Sequence, residues 1–188
     1  MTDSERSTPA LIVIDIQRDY FPDGEMPLRA PLAAAEQARQ LLNHFRSNNW
    51  PVIHIKHVWD SPEATYLRPG TPGIEHHPLV APLDEEEVVV KEFPNAFLET
   101  RLSTVLEVLH PSALVICGMM SNMCVDATVR AAADFGYNVT VAHDACDSSN
   151  LQFNDRSVDA ADVHAAYMAS LADGYAAVRS VSEILALY

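Results

Sequence analysis

Apolar residues alternate along the chain between short continuous runs and longer stretches with helical spacing. Continuous runs of aliphatic and β-branched residues are typical of strands that are buried on both faces of a parallel sheet. They fall at residues 10–14, 51–55, 87–91, 113–117, 138–142 and 175–179. Apolar positions three or four residues apart indicate helices; these fall at 32–47, 98–109, 124–135 and 157–172, and Ser182 is predicted to cap a last helix. The alternation predicts an α/β protein, a three-layer α/β/α domain with a mainly parallel six-stranded sheet and right-handed crossovers.

Residues 59–83 interrupt this alternation. The segment is rich in proline, contains Gly70 and Gly73, and has neither strand nor helix periodicity. Irregular excursions of this length in a compact domain usually serve a function. No repeat or linker divides the chain, so residues 1–188 are predicted to form a single domain with its core at about 10–184.

The charge balance excludes several classes of partner. Lys and Arg together number 12 against 26 Asp and Glu, which gives a net charge of −14 at pH 7. Nucleic acid and anionic membranes would repel such a surface, so neither is expected as a partner. The polar stretch Met1–Pro9 does not resemble a signal peptide, and no run reaches the roughly 18 apolar residues of a membrane span. These features predict a cytoplasmic protein.

Two of the predicted strands end on a charged residue. Asp15 follows the run 10–14, and Lys91 ends the run 87–91. Either residue has an ordinary interpretation, Asp15 as a loop or cap carboxylate and Lys91 as a side chain that extends to the surface. Ligands of α/β sheets bind beyond the carboxyl ends of the strands. If both side chains point there, Asp15 becomes a half-buried carboxylate suited to proton transfer and Lys91 a fixed positive charge beside it.

Three cysteines, an odd number, indicate free thiols in a reducing compartment. Cys124 lies where the fourth strand gives way to a helix, and a helix N-terminus lowers the pKa of a thiol and offers amide N–H groups to an oxyanion. The alternative is a small buried apolar residue, which fits Cys117 in its strand and is the default for Cys146. A carboxylate, an ammonium and a thiol at the ends of three strands form a constellation for nucleophilic catalysis.

Three blocks of the sequence carry a resemblance to a known family. They are residues 10–21 (ALIVIDIQRDYF), 88–97 (VVVKEFPNAF) and 114–125 (LVICGMMSNMCV). In order and spacing they resemble the isochorismatase-like cysteine hydrolases, which include nicotinamidases, N-carbamoylsarcosine amidase and ureidoacrylate amidohydrolases. The resemblance implies an isochorismatase-like fold over essentially the whole domain.

The resemblance also implies a reaction and its catalytic residues. Asp15, Lys91 and Cys124 match the family's triad, in which the thiol attacks a carbonyl and the acid accepts and returns the proton. The backbone N–H groups of Met120 and Cys124 match its oxyanion hole, with a cis peptide at Met119–Met120. This implies a cysteine hydrolase of C–N bonds in a small amide, ureide or carbamoyl compound, through an acyl-enzyme thioester. The alternatives are a vinyl-ether hydrolase of the isochorismatase type and a catalytically idle binding or scaffold member.

Further residues are candidates for binding the small-molecule substrate. Arg68 could clamp a substrate carboxylate or lie on the surface, and Asn122 could bind substrate or cap the following helix. The remaining candidates, whose alternative is ordinary packing or lining of the pocket wall, are Tyr20, Phe21, His57, Trp59 and Phe97.

The metal ligands of nicotinamidases are not matched by this chain. Where those enzymes carry an Asp-x-His pair, this sequence has His57 and Trp59, and the adjacent His76 and His77 are more typical of a solvated loop. No metal and no cofactor are therefore expected. The resemblance further implies a homo-oligomer, a dimer or tetramer.

Overall fold

A parallel sheet forms the centre of the molecule. The computed structural model describes residues 8–188, so most of the polar N-terminal stretch lies outside the described residues. Five of the strands are β1 (Ala10–Ile14), β2 (Val52–His57), β3 (Glu87–Lys91), β4 (Leu114–Met119) and β5 (Val139–Asp147). After a hairpin of β6 (Leu151–Phe153) and β7 (Arg156–Val158), the last strand of the sheet is β8 (Ala177–Arg179).

The order of the strands places a switch point between β1 and β4, at the carboxyl ends of the two strands. The sheet has six strands in the order β3-β2-β1-β4-β5-β8, and all neighbours are parallel. The chain therefore winds outward from β1 in one direction and from β4 in the other, and ligand sites of such sheets lie at this switch point. Asp15 follows β1 directly, and the segment that leads to Cys124 follows β4.

Helices cover both faces of the sheet. Residues of α1 (Pro31–Ser47) and α5 (Val181–Leu187) share one buried apolar cluster with one face of β1. Residues of α2 (Leu102–Leu109), α3 (Asp126–Asp134) and α4 (Ala160–Gly174) share a second cluster with the other face. Because β1 is fully buried on both sides, its continuous apolar run matches its place at the centre of three layers. The prediction of a three-layer α/β/α fold with a six-stranded sheet is confirmed.

The structure corrects several predicted boundaries. The stretch before α4 is the exposed hairpin of β6 and β7 rather than the start of a helix at Ser157, and α2 begins at Leu102 instead of Leu98. The last helix is capped by Ser180, which forms a capping box with Glu183, and not by Ser182. No helix among the described residues is long and apolar enough to cross a bilayer.

The predicted excursion is irregular but anchored. Short 3₁₀ turns occur at Pro72–Ile74 and Pro78–Val80. The buried carboxylate of Asp19 accepts a hydrogen bond from the amide of Leu67 at 2.6 Å, and a Cβ at Gly73 would overlap that carboxylate. One acidic side chain from the segment after β1 therefore fixes two parts of the excursion.

Candidate active site

The ends of β1 and β4 bring Asp15 close to the segment that carries Cys124. Asp15 is fully buried and has a positive φ of 49°, which is uncommon for a residue other than glycine. Gly118 lies opposite Ile14 in the sheet, and a Cβ at Gly118 would overlap the Ile14 carbonyl oxygen. Only glycine permits β1 and β4 to lie this close, so the glycine at position 118 sets the distance between the ends of the two strands.

Lys91 lies at the centre of the candidate site. Its Nζ atom is 2.7 Å from Asp15 Oδ2, and the side chains of both residues are fully buried. It also lies 3.1 Å from Cys124 Sγ and 2.7 Å from His57 Nδ1. An ammonium group has three N–H donors and no acceptor. The contacts to the sulfur and to the imidazole are hydrogen bonds, and the carboxylate is the ion-pair partner of the ammonium.

The ionisation of these groups follows from their contacts. Burial lowers the pKa of Lys91, but the neighbouring Asp15 carboxylate and the Cys124 sulfur outweigh it, so that the pKa is raised overall. Burial and, after it, the positive charge of Lys91 lower the pKa of His57 to about 4. At neutral pH, His57 is therefore uncharged, and its Nδ1 accepts the hydrogen bond from Lys91.

Cys124 lies in a single π-helical turn, Ser121–Val125, directly before α3. Such turns are rare and often occur at functional sites. Burial, and after it the Asp15 carboxylate, raise the pKa of the Cys124 thiol, although Lys91 acts in the opposite direction. The sequence-based expectation of a thiol whose pKa is lowered by the helix N-terminus is wrong for this state. The resting site therefore holds a neutral thiol next to an Asp15–Lys91 ion pair.

The backbone before Cys124 has a free donor. The peptide bond between Met119 and Met120 is cis. Within residues 8–188, the Met120 N–H donates to no backbone or side-chain acceptor, whereas the Met120 carbonyl accepts from the amides of Met123 and Val125. Met120 and Cys124 both line the same cavity, so a ligand there could meet this N–H.

The cavity at Cys124 has a volume of about 220 Å³ and an aromatic wall. Three of the predicted binding residues, Tyr20, His57 and Trp59, line it. Beyond Met120 and Cys124, the rest of its lining was not predicted from the sequence and consists of Tyr66, Leu67, Glu92, Pro94 and Met123. Glu92 and Pro94 could have been found from their place beside Lys91, but Tyr66 and Leu67 lie within the irregular excursion, where no pattern marks them.

Four other predicted binding residues do not line this cavity. Phe21 and Arg68 line a separate cavity of about 540 Å³. Phe97 is buried in the core, and its ring centroid lies 5.1 Å from that of the exposed Phe135. Asn122 is buried and accepts a hydrogen bond from Ser148 Oγ at 2.7 Å, and it does not cap α3.

A second pair of polar residues supports the turn that carries the thiol. Ser121 Oγ donates to the carbonyl oxygen of Asp147 at 3.0 Å and lies 2.7 Å from His164 Nδ1. Burial lowers the pKa of His164, so the ring is neutral and its Nδ1–H can donate to Ser121. These bonds connect the turn to β5 and α4, and nothing in the sequence pattern marks Ser121 for this role.

The donor set does not fit a metal ion. Ligand atoms of Asp15, His57 and Cys124 all lie within 4.8 Å of one another, which is compact enough for a metal. The Lys91 ammonium, however, lies within hydrogen-bonding distance of all three groups, so a protein cation already occupies the point on which they converge. His77 stacks on Phe21 with the ring centroids 3.9 Å apart, which directs it away from this cluster.

Comparison with known proteins identifies the family. The model of the isochorismatase domain matches residues 9–173. The chain belongs to the isochorismatase family. The predicted resemblance is therefore confirmed, and the family model contains all of β1 to β7, Asp15, Lys91 and Cys124.

Relatives in the isochorismatase family match most of the chain. The uncharacterised family protein YddQ of Bacillus subtilis is 47% identical over 178 residues, which are 95% of this chain and 99% of YddQ. The maleamate amidohydrolase of Pseudomonas putida is 30% identical over 72% of this chain and 70% of its own length. The crystal structure of a proposed isochorismatase hydrolase from Oleispira antarctica superposes with a TM-score of 0.93 at 44% identity, covering 99% of each chain.

Proposed function

We propose that this protein hydrolyses a C–N bond of a small amide, ureide or carbamoyl compound, with Cys124 as the nucleophile. The observation that carries the proposal is the position of the Lys91 ammonium, 2.7 Å from the Asp15 carboxylate and 3.1 Å from the Cys124 sulfur. The amidohydrolase relative supports the choice of a C–N bond.

The first step is a proton transfer that keeps one negative charge beside Lys91. In the resting site the counter-ion of the ammonium is the Asp15 carboxylate, and the thiol is neutral. When Cys124 attacks the substrate carbonyl, its proton passes to Asp15, and the negative charge moves first to sulfur and then to the carbonyl oxygen. Lys91 contacts both the carboxylate and the sulfur, so it stabilises the charge on either side of the transfer.

The tetrahedral intermediate and its collapse use the same groups. The oxyanion accepts hydrogen bonds from the backbone N–H groups of Met120 and Cys124. As the C–N bond breaks, Asp15 returns its proton to the leaving nitrogen, and a thioester with Cys124 remains. Water then attacks the thioester while Asp15 accepts a proton, and the release of the acid restores the thiol. Neutral His57 accepts a hydrogen bond from Lys91 and fixes the direction of the ammonium.

Substitution of Cys124 tests this proposal. Ammonia release is measured over a panel of primary amides and ureides for the wild type, C124A and C124S. We expect turnover to fall by at least about 10³-fold in both variants, because the covalent step is lost. An acyl adduct on the wild-type protein, trapped by acid quench and measured by intact mass spectrometry, should be missing from C124A.

The control is C117A, which removes a buried thiol on the opposite face of the sheet from Cys124. It should keep turnover within a few-fold of the wild type, since it lies outside the site. Full ammonia release by C124A would refute the nucleophilic role of the thiol.

A further inference from the structure

The cavity at Cys124 has an unbalanced charge. Of its ten lining residues, all within the described part of the chain, Glu92 is the one acidic side chain, and neither lysine nor arginine contributes to the wall. Burial and Lys91 lower the pKa of His57, and burial raises the pKa of Tyr66, so both rings are neutral near pH 7. The ammonium of Lys91 is neutralised by Asp15 behind the wall.

Glu92 is also free to interact with a ligand. Its side chain is exposed, although Lys91, its neighbour in the chain, is buried. Among residues 8–188, no side chain or backbone group forms a hydrogen bond or ion pair with the Glu92 carboxylate. A cation that enters the cavity therefore does not have to displace an existing partner.

Three aromatic rings face the same space at steep angles. The rings of Trp59 and Tyr66 are 5.4 Å apart at 76°, and those of Tyr20 and Tyr66 are 6.0 Å apart at 52°. Rings at such angles form a corner in which a cation can contact more than one π face. A ligand with an uncharged ring could stack on one wall only, and it would gain nothing from the Glu92 carboxylate.

We propose that the substrate of this site is an amide that carries a cationic group, an ammonium or guanidinium, held between the Trp59–Tyr66 corner and the Glu92 carboxylate while its carbonyl meets Cys124. This proposal rests on the proposed function for the reaction, but the cation subsite is an independent property of the cavity. The free carboxylate sets the preferred charge, and the aromatic corner sets the place of the cation.

A charge series of otherwise similar amides tests the subsite. The probes are 4-aminobutanamide as the cation, pentanamide as its neutral isostere and glutaramate as the anion. A cation–π contact and an exposed ion pair each favour a cation by a few-fold, so we expect kcat/KM to favour the cation over the neutral isostere by about tenfold at low salt. The anion should be the poorest of the three, and 0.5 M NaCl should reduce the preference for the cation.

Variants of Glu92 show whether this residue causes the preference. In E92Q the ratio of the cation to its neutral isostere should fall to about threefold or less, where only the aromatic contacts remain. In E92K the order of cation and anion should reverse. The control is E107Q, an exposed glutamate on α2 that makes the same change in net charge, and it should keep the wild-type ratio. An unchanged ratio in E92Q, or equal kcat/KM for all three amides in the wild type, overturns the proposal.

A binding measurement separates this proposal from the catalytic one. Calorimetric titration of C124A with 4-aminobutanamide and with pentanamide should show the same tenfold preference without turnover, and C124A/E92Q should lose most of it. Hydrolysis without charge preference would leave the proposed function intact and refute the cation subsite. Selective binding of the cation by a protein that hydrolyses none of the amides would support the subsite and refute the proposed function.

Discussion

Removal of the Lys91 ammonium should cost more stability than any exposed ion pair of this protein. In K91M the aliphatic stem keeps its packing, but the Asp15 carboxylate stays fully buried without a cation. Breaking a buried pair from one side costs about 3–5 kcal/mol, because an uncompensated charge remains in a medium that cannot solvate it. That is a large fraction of the roughly 5–15 kcal/mol by which a domain of this kind is stable.

The double variant D15N/K91M isolates the cause. If the buried charge is responsible, removal of the carboxylate as well should recover at least about 2 kcal/mol relative to K91M, a non-additivity typical of contacting groups. Urea unfolding followed by tryptophan fluorescence gives the midpoint and slope for the wild type, D15N, K91M and D15N/K91M. The matched control is K56M, whose partner Glu75 is 3.0 Å away but exposed, with an expected cost of about 0–1 kcal/mol.

Two results would refute this reasoning. If K91M unfolds within about 1 kcal/mol of the wild type, Asp15 has found another partner or taken up a proton at little cost. If the costs of the single substitutions simply add in the double variant, the two side chains do not stabilise each other. Either result would also remove the basis for a shared counter-ion in the proposed proton transfer.

Two further predictions concern backbone approach and pH. G118A should lower the free energy of unfolding by at least about 2 kcal/mol, because φ at this position is 136° and the added Cβ would overlap the Ile14 carbonyl. The control G174A adds its Cβ in open space and should change the melting temperature little. Equal melting temperatures for the two variants would contradict this prediction. Burial lowers the pKa of both His54 and His57 to about 4. Below about pH 6.5, these histidines therefore bind protons in the unfolded chain but stay neutral in the folded chain until the pH approaches 4. The free energy of unfolding should therefore fall between pH 6.5 and 4, by up to about 3 kcal/mol for fully buried His54 and by less for partly exposed His57; urea midpoints that do not change between pH 7 and 5 would refute it.

The central strands β1 and β4 were predictable because all of their residues are buried, which gives continuous apolar runs. The bounds of β1 and β3 agree with the predicted runs, and the polar residues that end them, Asp15 and Lys91, do meet in space. The hairpin of β6 and β7 was missed because its strands are exposed on both faces, which removes the alternation that identifies a strand. Its turn depends on Asn154 at a φ of 52°, a local preference that is weak against the helical spacing downstream.

The cluster of Asp15, Lys91 and Cys124 was predictable to a greater degree than the wall of the cavity. Residues at strand ends are placed by the sheet, so topology alone brings Asp15 and Lys91 towards Cys124. Tyr66 reaches the cavity through an irregular segment whose path depends on long-range hydrogen bonds such as that of Asp19, which no local pattern encodes. The predicted direction of the pKa shift of Cys124 was wrong for a similar reason, since the burial that raises this pKa depends on packing from several elements.

The hydrogen bond between Asp19 and Leu67 fixes the excursion independently of the sheet, so the cavity is built on two separate supports. The groups proposed to cleave the C–N bond of the substrate are attached to the rigid sheet. Trp59, Tyr66 and Leu67, in contrast, belong to an excursion that is held by the Asp19 carboxylate, which lies outside the sheet. Substitutions within the excursion can therefore alter which molecules fit without moving the reacting atoms, as long as Asp19 and Gly73 remain. Such a separation allows descendants of one fold to acquire new substrates by small steps, with the chemistry inherited unchanged.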